Sequence, residues 1–252
     1  MVILKSKDEI EKIRRASRIV AIALSELKSQ VKAGRTTAEL DQLAEKLILK
    51  LEGKPAFKGY RGFPATLCTS VNEEVVHGIP SQRVLKEGDI IGLDLGAIVD
   101  GYYGDAAITV AVGGPLPVET ERLIRVTEES LYLGIRQIEV GKRLSDISHA
   151  IQEHVEKAGF SVVTDFVGHG IGRNLHEDPQ IPNFGEPGHG IRLRQGMTLA
   201  IEPMVNMGSH AVKVLEDNWT AVTQDGSLSA HFEHTVLVAE SGPEILTRLS
   251  SP

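Results

Sequence analysis

The sequence predicts an α/β (α+β) domain made of two pseudo-twofold halves that share a central antiparallel sheet covered by helices. Three observations predict it. Each half opens with two helical stripes, each then changes to strand-like runs, and motifs of the first half recur in the second at nearly constant offsets. With 252 residues, and about 150 per domain as a guide, one large domain over residues 1–252 is expected, with pseudo-repeats at roughly 6–112 and 117–240.

The first helix begins at Ser6, which with Glu9 has the spacing of a capping box, and Ile10, Ile13, Ile19, Ala23 and Leu27 follow at helical intervals. A turn at Gly34 ends that unit. Thr36 and Glu39 form a second capping box ahead of Leu40, Leu43, Leu47 and Leu51, and Gly53 closes the stripe. From there the grammar becomes that of strands: Ala65 to Val71, Asp89 to Ile98 and Tyr102 to Val112, the last two joined by the hairpin signal Val99-Asp100-Gly101.

The second half repeats the plan. Leu85-Lys-Glu-Gly88 and a strand ending in Asp94 match Leu193-Arg-Gln-Gly196 and a strand ending in Glu202, both at an offset of 108. Gly34 and Leu40 match Gly141 and Ile147 at 107, His77-Gly-Ile matches His169-Gly-Ile at 92, and the run from Asp105 resembles the run from Glu233 at 128. Loop insertions account for the spread, and a site between the halves is expected.

Composition narrows the function. Apolar residues make up 41% and charged residues 24%, ordinary for a globular chain, and 27 Lys+Arg against 34 Asp+Glu give a charge of -7. That is the wrong sign for gripping phosphate backbones, so DNA is not an expected partner. Cys68 is the only cysteine, so no internal disulfide forms and a reducing compartment, the cytoplasm, is expected. No apolar run approaches the length of a membrane span, and no membrane partner is expected.

The chemistry lies in the acids. By period two, Asp94 shares a strand face with Gly92 and Gly96, and Glu202 shares one with Ala200, so small neighbours leave room for an approaching group. Asp105 and Glu233 also fall in strand-like runs, where an acid runs against propensity. No Lys or Arg occurs in residues 89–112, 197–205 or 229–239. Four convergent carboxylates without a cation repel one another, and a divalent pair with bridging carboxylates relieves that repulsion. The oxygen-rich set suits manganese, iron, cobalt or zinc used catalytically. His77, His169 between two glycines, and His176 in Asn174-Leu-His-Glu-Asp-Pro179 are the candidate histidines. His231 and His234 flank Glu233 at opposite parity and cannot both face one site. The spacing of a dinucleotide loop, a Walker lysine, HExxH and G-x-S-x-G are all missing.

Asp94 with Asp105 eleven positions on, Gly-His169-Gly-Ile-Gly, His176, Ile201-Glu202-Pro203 and Glu233-His-Thr together resemble the type I, bacterial-type methionine aminopeptidases over nearly the whole chain. The resemblance implies the duplicated pita-bread (creatinase/aminopeptidase) fold and metal-dependent removal of the initiator methionine when the second residue is small. In that reaction a water activated by two metal ions attacks the first peptide bond. It implies that Asp94, Asp105 and Glu233 hold one divalent ion, and that Asp105, His169, Glu202 and Glu233 hold the other. Glu202 shuttles the proton, His77 contacts the substrate at the scissile amide, and His176 hydrogen-bonds the carbonyl and the developing oxyanion. Tyr60, Phe63, Cys68 and Trp219 are similar to the methionine pocket of the family. The chain departs from some members at Leu175, Phe57 and Val167, where they carry Phe or Cys. Nascent polypeptide N-termini are the implied partners, with the ribosome as a further one and a monomer as the default state. Met1-Val2 presents a small second residue, so Met1 fits as a substrate of its own enzyme. Two other readings stay open: an X-Pro aminopeptidase or prolidase-like peptidase, and a non-catalytic pita-bread peptide-binding module.

Overall fold

The computed structural model describes residues 2–249, so Met1 lies outside the described residues. Helix α1 spans Lys7–Gln30 and α2 spans Thr37–Lys50, and both start at the expected capping boxes, Ser6 with Glu9 and Thr36 with Glu39. Helices α3 (Val118–Ile135) and α4 (Leu144–Lys157) occupy the corresponding places in the second half.

Nine strands form the main sheet. They are β1 (Lys54–Pro55), β2 (Leu67–Val71), β3 (Ile90–Val99), β4 (Tyr102–Ala111), β5 (Gly168–Gly170), β6 (Glu177–Ile181), β7 (Thr198–Ile201), β8 (Glu233–Ala239) and β9 (Gly242–Ile245). The order is β1-β3-β4-β8-β7-β5-β6, with β2 also on β3 and β9 also on β8, and every pairing is antiparallel. The β3–β4 hairpin turns through Asp100 (φ 50°) and Gly101 (φ 79°), the left-handed pair that a two-residue hairpin turn demands. The two halves join where β8 meets β4, with Glu233 opposite Ala107 and His234 opposite Ala106.

Strand parity divides the sheet as expected. Ile91, Leu93, Leu95 and Ala97 are buried against Ala16, Val20, Leu24, Leu40 and Ile48 of α1 and α2. Leu199, Ile201, Val236 and Val238 are buried against Leu123, Val126, Ile135, Ile147 and Ile151 of α3 and α4. Helix α1 comes so close to the sheet that a Cβ at Gly104 would stand 2.5 Å from the backbone nitrogen of Ser17. The face turned away from the helices carries Asp94, Asp105, Glu233 and Ala200.

Hydrogen bonds recur between the halves. The Gly34 N–H donates to Leu85 O and the Leu85 N–H to Arg35 O, while the Gly141 N–H donates to Leu193 O and the Leu193 N–H to Lys142 O. Single bridges join Thr36 to Val84 and Arg143 to Arg192 in the same way.

Candidate metal centre and active site

Register explains how three strands, and the residue that follows a fourth, bring their acids together. Across β2, β3, β4 and β8 one row runs Cys68, Asp94, Ala107, Glu233, because Cys68 pairs with Asp94, Asp94 with Ala107, and Ala107 with Glu233. The neighbouring row contains Gly96 opposite Asp105, and then Thr235, Ala200 and His169 in register. The Thr235 hydroxyl fastens β8 to β4 within this row, accepting from the Asp105 N–H at 3.1 Å and donating to Asp105 O at 2.8 Å. Alanine and glycine occupy the intervening places, so the long side chains lean toward one another over small ones.

These side chains line a cavity of ≈ 160 Å³, together with Phe57, Tyr60, Arg61, Phe63, Cys68, His77, Leu175, His176 and Trp219. Every residue proposed from the sequence as ligand, catalyst or pocket wall is therefore on one cavity. The tightest group is Asp105, His169 and Glu233, all buried, whose donor atoms lie within 4.8 Å of one another. Glu202 joins it through Oε1, 3.4 Å from His169 Nε2.

The donor set fits a divalent cation. Asp94 Oδ1, Asp105 Oδ1 and Glu233 Oε1 are buried without a hydrogen-bond partner, an arrangement that is costly for carboxylates alone. Burial pushes Asp94 up to about 7, and burial with neighbouring negative charge holds Asp105, Glu202 and Glu233 well above the ordinary carboxylate range. His169 is prepared as a ligand. Its Nδ1 lies 2.9 Å from the carbonyl oxygen of Gly170, which can only accept, so Nδ1 carries the proton and Nε2 presents its lone pair to the acids. Burial drives the pKa of this ring down to about 3, so it is neutral at ordinary pH.

The aromatic wall is built by Phe63, edge-on to Trp219 with centroids 5.1 Å apart, over buried Cys68, Phe57 and Leu175. His77 stands edge-on to Phe166 and Trp219, and its φ of 61° puts it in the left-handed region, which a branched or bulky residue adopts only when the surroundings impose it. His176 has Nδ1 2.8 Å from the Tyr60 hydroxyl and its ring centroid 4.3 Å from that of His169. Arg61 also lines the cavity, and partial burial of the His176 ring, with that guanidinium nearby, lowers its pKa.

The structure corrects several expectations. Glu202 lies one residue beyond β7, although extending the register by one still sets it opposite Glu233. The space at Gly96 is filled by Phe57 and Ala56, since a Cβ there would stand 2.7 Å from the Phe57 ring, so the bulky group that this glycine leaves room for is a wall residue of the cavity. In agreement with a close approach of backbone or metal at the glycines around His169, it is backbone that comes near them: a Cβ at Gly168 would meet Ala200 O at 2.4 Å, and one at Gly170 would meet Asp178 O at 2.2 Å. Sequence reasoning also passed over His231. Its buried Nε2 has no hydrogen-bond partner and stands 3.8 Å from Glu202 Oε2, whereas His234 turns away to Thr247 and Tyr132. Parity correctly separated the two histidines, and the spacing of two residues from Glu233 was the available signal for the inward one.

The profile of metallopeptidase family M24 matches residues 11–240. The chain belongs to this family. The methionine aminopeptidase of Clostridium acetobutylicum is 56% identical over 248 residues, covering 98% of this chain and 99% of that protein. Methionine aminopeptidase 1 of Bacillus subtilis is 56% identical over 249 residues, covering 99% and 100%. Among solved structures, the methionine aminopeptidase of Thermotoga maritima matches with a TM-score of 0.97 and 54% identity over 99% of this chain and 100% of that one. The prolidase of Pyrococcus furiosus shares the fold alone, with a TM-score of 0.80 at 24% identity, and this chain covers 66% of its length. The chain thus has the pita-bread fold and is a metallopeptidase of this family, with a group of buried acids and a histidine that could hold a divalent metal ion.

Proposed function

We propose that this M24 metallopeptidase removes the initiator methionine from nascent polypeptides whose second residue is small. The observation that carries the reading is the juxtaposition of unpartnered buried carboxylate oxygens with an apolar aromatic wall on one cavity. Asp94, Asp105 and Glu233 would hold one divalent ion and Asp105, His169, Glu202 and Glu233 a second, drawn from cobalt, manganese, iron or zinc. When bound, such ions supply Lewis-acid polarisation of a carbonyl and lower the pKa of a water molecule.

The chain's own groups do the rest. The Glu202 carboxylate takes a proton from the attacking water and delivers it to the departing amine, a task suited to an acid whose pKa burial and the nearby Asp94 raise well above the ordinary carboxylate range. His176, on the rim, donates a hydrogen bond to the scissile carbonyl oxygen as it gains charge. His77, its ring neutral because burial lowers its pKa to about 4, contacts the scissile amide from the opposite wall. Tyr60, Phe63, Cys68 and Trp219 enclose the methionine side chain, and the narrow cavity limits the second residue sterically.

The recurring hydrogen bonds of the two halves support a single duplicated domain over residues 1–252. We place the protein in the cytoplasm as a monomer acting on polypeptides emerging from the ribosome. The test is release of the N-terminal residue from Met-Ala-Ser and Ala-Pro-Ala by chelated enzyme with and without Mn(II) or Co(II). Metal-dependent cleavage of the methionine peptide alone is expected. Cleavage of the proline peptide alone would move the chain to the X-Pro branch, and cleavage of neither would make it a peptide-binding module.

A further inference from the structure

Two imidazole rings stand side by side at this site, His169 and His176, with centroids 4.3 Å apart. Their Nδ1 atoms face different partners. The partner of His169 is a backbone carbonyl, and the partner of His176 is the hydroxyl of Tyr60 at 2.8 Å. In a neutral imidazole one nitrogen donates and the other accepts, so the partner at Nδ1 decides what Nε2 offers. A carbonyl cannot donate, and it leaves His169 with a bare Nε2. A phenol is a stronger acid than a neutral imidazole N–H, and an imidazole nitrogen is a better acceptor than a phenol oxygen, so the Tyr60 hydroxyl donates to Nδ1 of His176.

We propose that Tyr60 is a positioning residue that, through this donated hydrogen bond, holds His176 in the tautomer with hydrogen on Nε2 and so keeps that hydrogen available to the substrate carbonyl oxygen. The inference rests on the oxyanion role of His176 given above, and it adds to Tyr60 a task distinct from lining the methionine pocket.

The surroundings of both residues support it. Interactions of the neighbouring residues fix the turn that carries His176. The Lys5 ammonium and the Glu177 carboxylate form an ion pair of 2.7 Å with side-chain exposures of 4% and 6%, Glu177 Oε1 accepts the Asn174 N–H at 3.1 Å, and Leu175 is buried. Among the described residues the Tyr60 hydroxyl is the one hydrogen-bond partner of the imidazole ring. Tyr60 is itself held firmly. Its N–H donates to Phe57 O at 2.9 Å, its carbonyl accepts the Phe63 N–H at 2.9 Å, and Gly59 (φ 87°), Arg61 (φ 50°) and Gly62 (φ 90°) take left-handed conformations around it. Its ring stacks on His176 at 5.5 Å and 29°, so the hydroxyl reaches Nδ1 from a fixed platform.

Tyr60→Phe keeps the ring, the stack and the pocket wall while removing only the hydroxyl. The tautomer of His176 is read by two-bond 15N–1H correlation on 15N-labelled protein, metal-free and loaded with Zn(II), both of which are diamagnetic. Hydrogen on Nε2 is expected in the wild type and a mixture of tautomers in Tyr60→Phe. With Met-Ala-Ser, kcat is expected to fall about tenfold with KM within about twofold, the loss typical of one hydrogen bond. Hydrogen on Nδ1 in the wild type overturns the proposal. So does an unchanged kcat in Tyr60→Phe, and so does a rise in KM alone, which would leave Tyr60 as a wall of the pocket. His176→Gln separates the underlying reading: full kcat in that variant removes the oxyanion role itself, while the NMR arm still reports which nitrogen Tyr60 protects.

Discussion

Nε2 of His169 stands 3.4 Å from Oε1 of Glu202, and because the carbonyl of Gly170 claims the proton on Nδ1, the two residues face each other as lone pair and carboxylate. Neither supplies a hydrogen to the contact unless Glu202 is protonated. An arrangement of this kind is unfavourable by itself and becomes favourable around a cation.

The first expectation concerns Glu202. Glu202→Gln keeps the volume and removes the proton carrier, so kcat on Met-Ala-Ser should fall by about three orders of magnitude, within the range for general acid–base groups. Near-ultraviolet circular dichroism should be unchanged. Turnover within tenfold of the wild type would remove Glu202 from proton transfer.

Metal uptake should release protons. In the metal-free protein Asp94 is raised to about 7, and Asp105, Glu202 and Glu233 stand well above their ordinary values, so near pH 7 the cluster retains protons that a divalent ion displaces. His169, at about 3, is already unprotonated and contributes none. Titration calorimetry with Mn(II) in buffers of different ionisation enthalpy should show release at pH 7 that diminishes as pH rises. Proton uptake on binding would contradict this electrostatic account.

Lys5 and Glu177 form a buried ion pair that anchors the His176 turn to the segment preceding α1. Lys5→Met leaves a buried carboxylate unpaired and should destabilise the fold by about 3 to 5 kcal/mol in urea denaturation. Lys5→Met with Glu177→Met removes both charges and should regain most of that loss. A double variant as weak as the single one would show that the pair acts through packing and not through charge.

An acid limb of stability is expected from Glu9. Its pKa is lowered to about 2, first by the Ser6 N–H it accepts and then by the Tyr102 phenol. A depressed carboxylate contributes stability above its unfolded value of 4.5, and the contribution is lost as pH falls toward 2. Glu9→Gln keeps the capping geometry and should cost about 0.5 kcal/mol at pH 7, a modest figure because the group is partly solvated. The difference from wild type should shrink below pH 4.5. A difference independent of pH would assign the effect to shape alone.

Local rules made much of this protein legible. Capping boxes at Ser6 and Thr36 begin both helices where their spacing says, since a side-chain oxygen and the N–H three residues on are local partners. Parity placed Asp94 on the face opposite Ile91, Leu93 and Leu95, and set His231 and His234 on different sides, because a strand alternates without reference to the rest of the chain. The absence of Lys and Arg around the four acids announced a missing cation, and the glycine pair flanking His169 announced a close approach.

Tertiary structure decided the rest, for reasons that act at a distance. The approach beside His169 is that of neighbouring backbone carbonyls, and the place beside Asp94 belongs to Phe57, both set by strands and loops far away in sequence. The inward position of His231, 3.8 Å from Glu202, depends on the antiparallel pairing of the strand before Glu233 with the one after Glu202, which sets His231 opposite Met204. Likewise, only the packing of the residue 59–63 turn against the second half brings the Tyr60 hydroxyl to Nδ1 of His176. The sequence by itself determined which acids and histidines are the candidates for the site and which strand face the acids share. The fold decided which partner each ring nitrogen meets, because hydrogen-bond direction is set by atoms brought together from opposite halves of the chain.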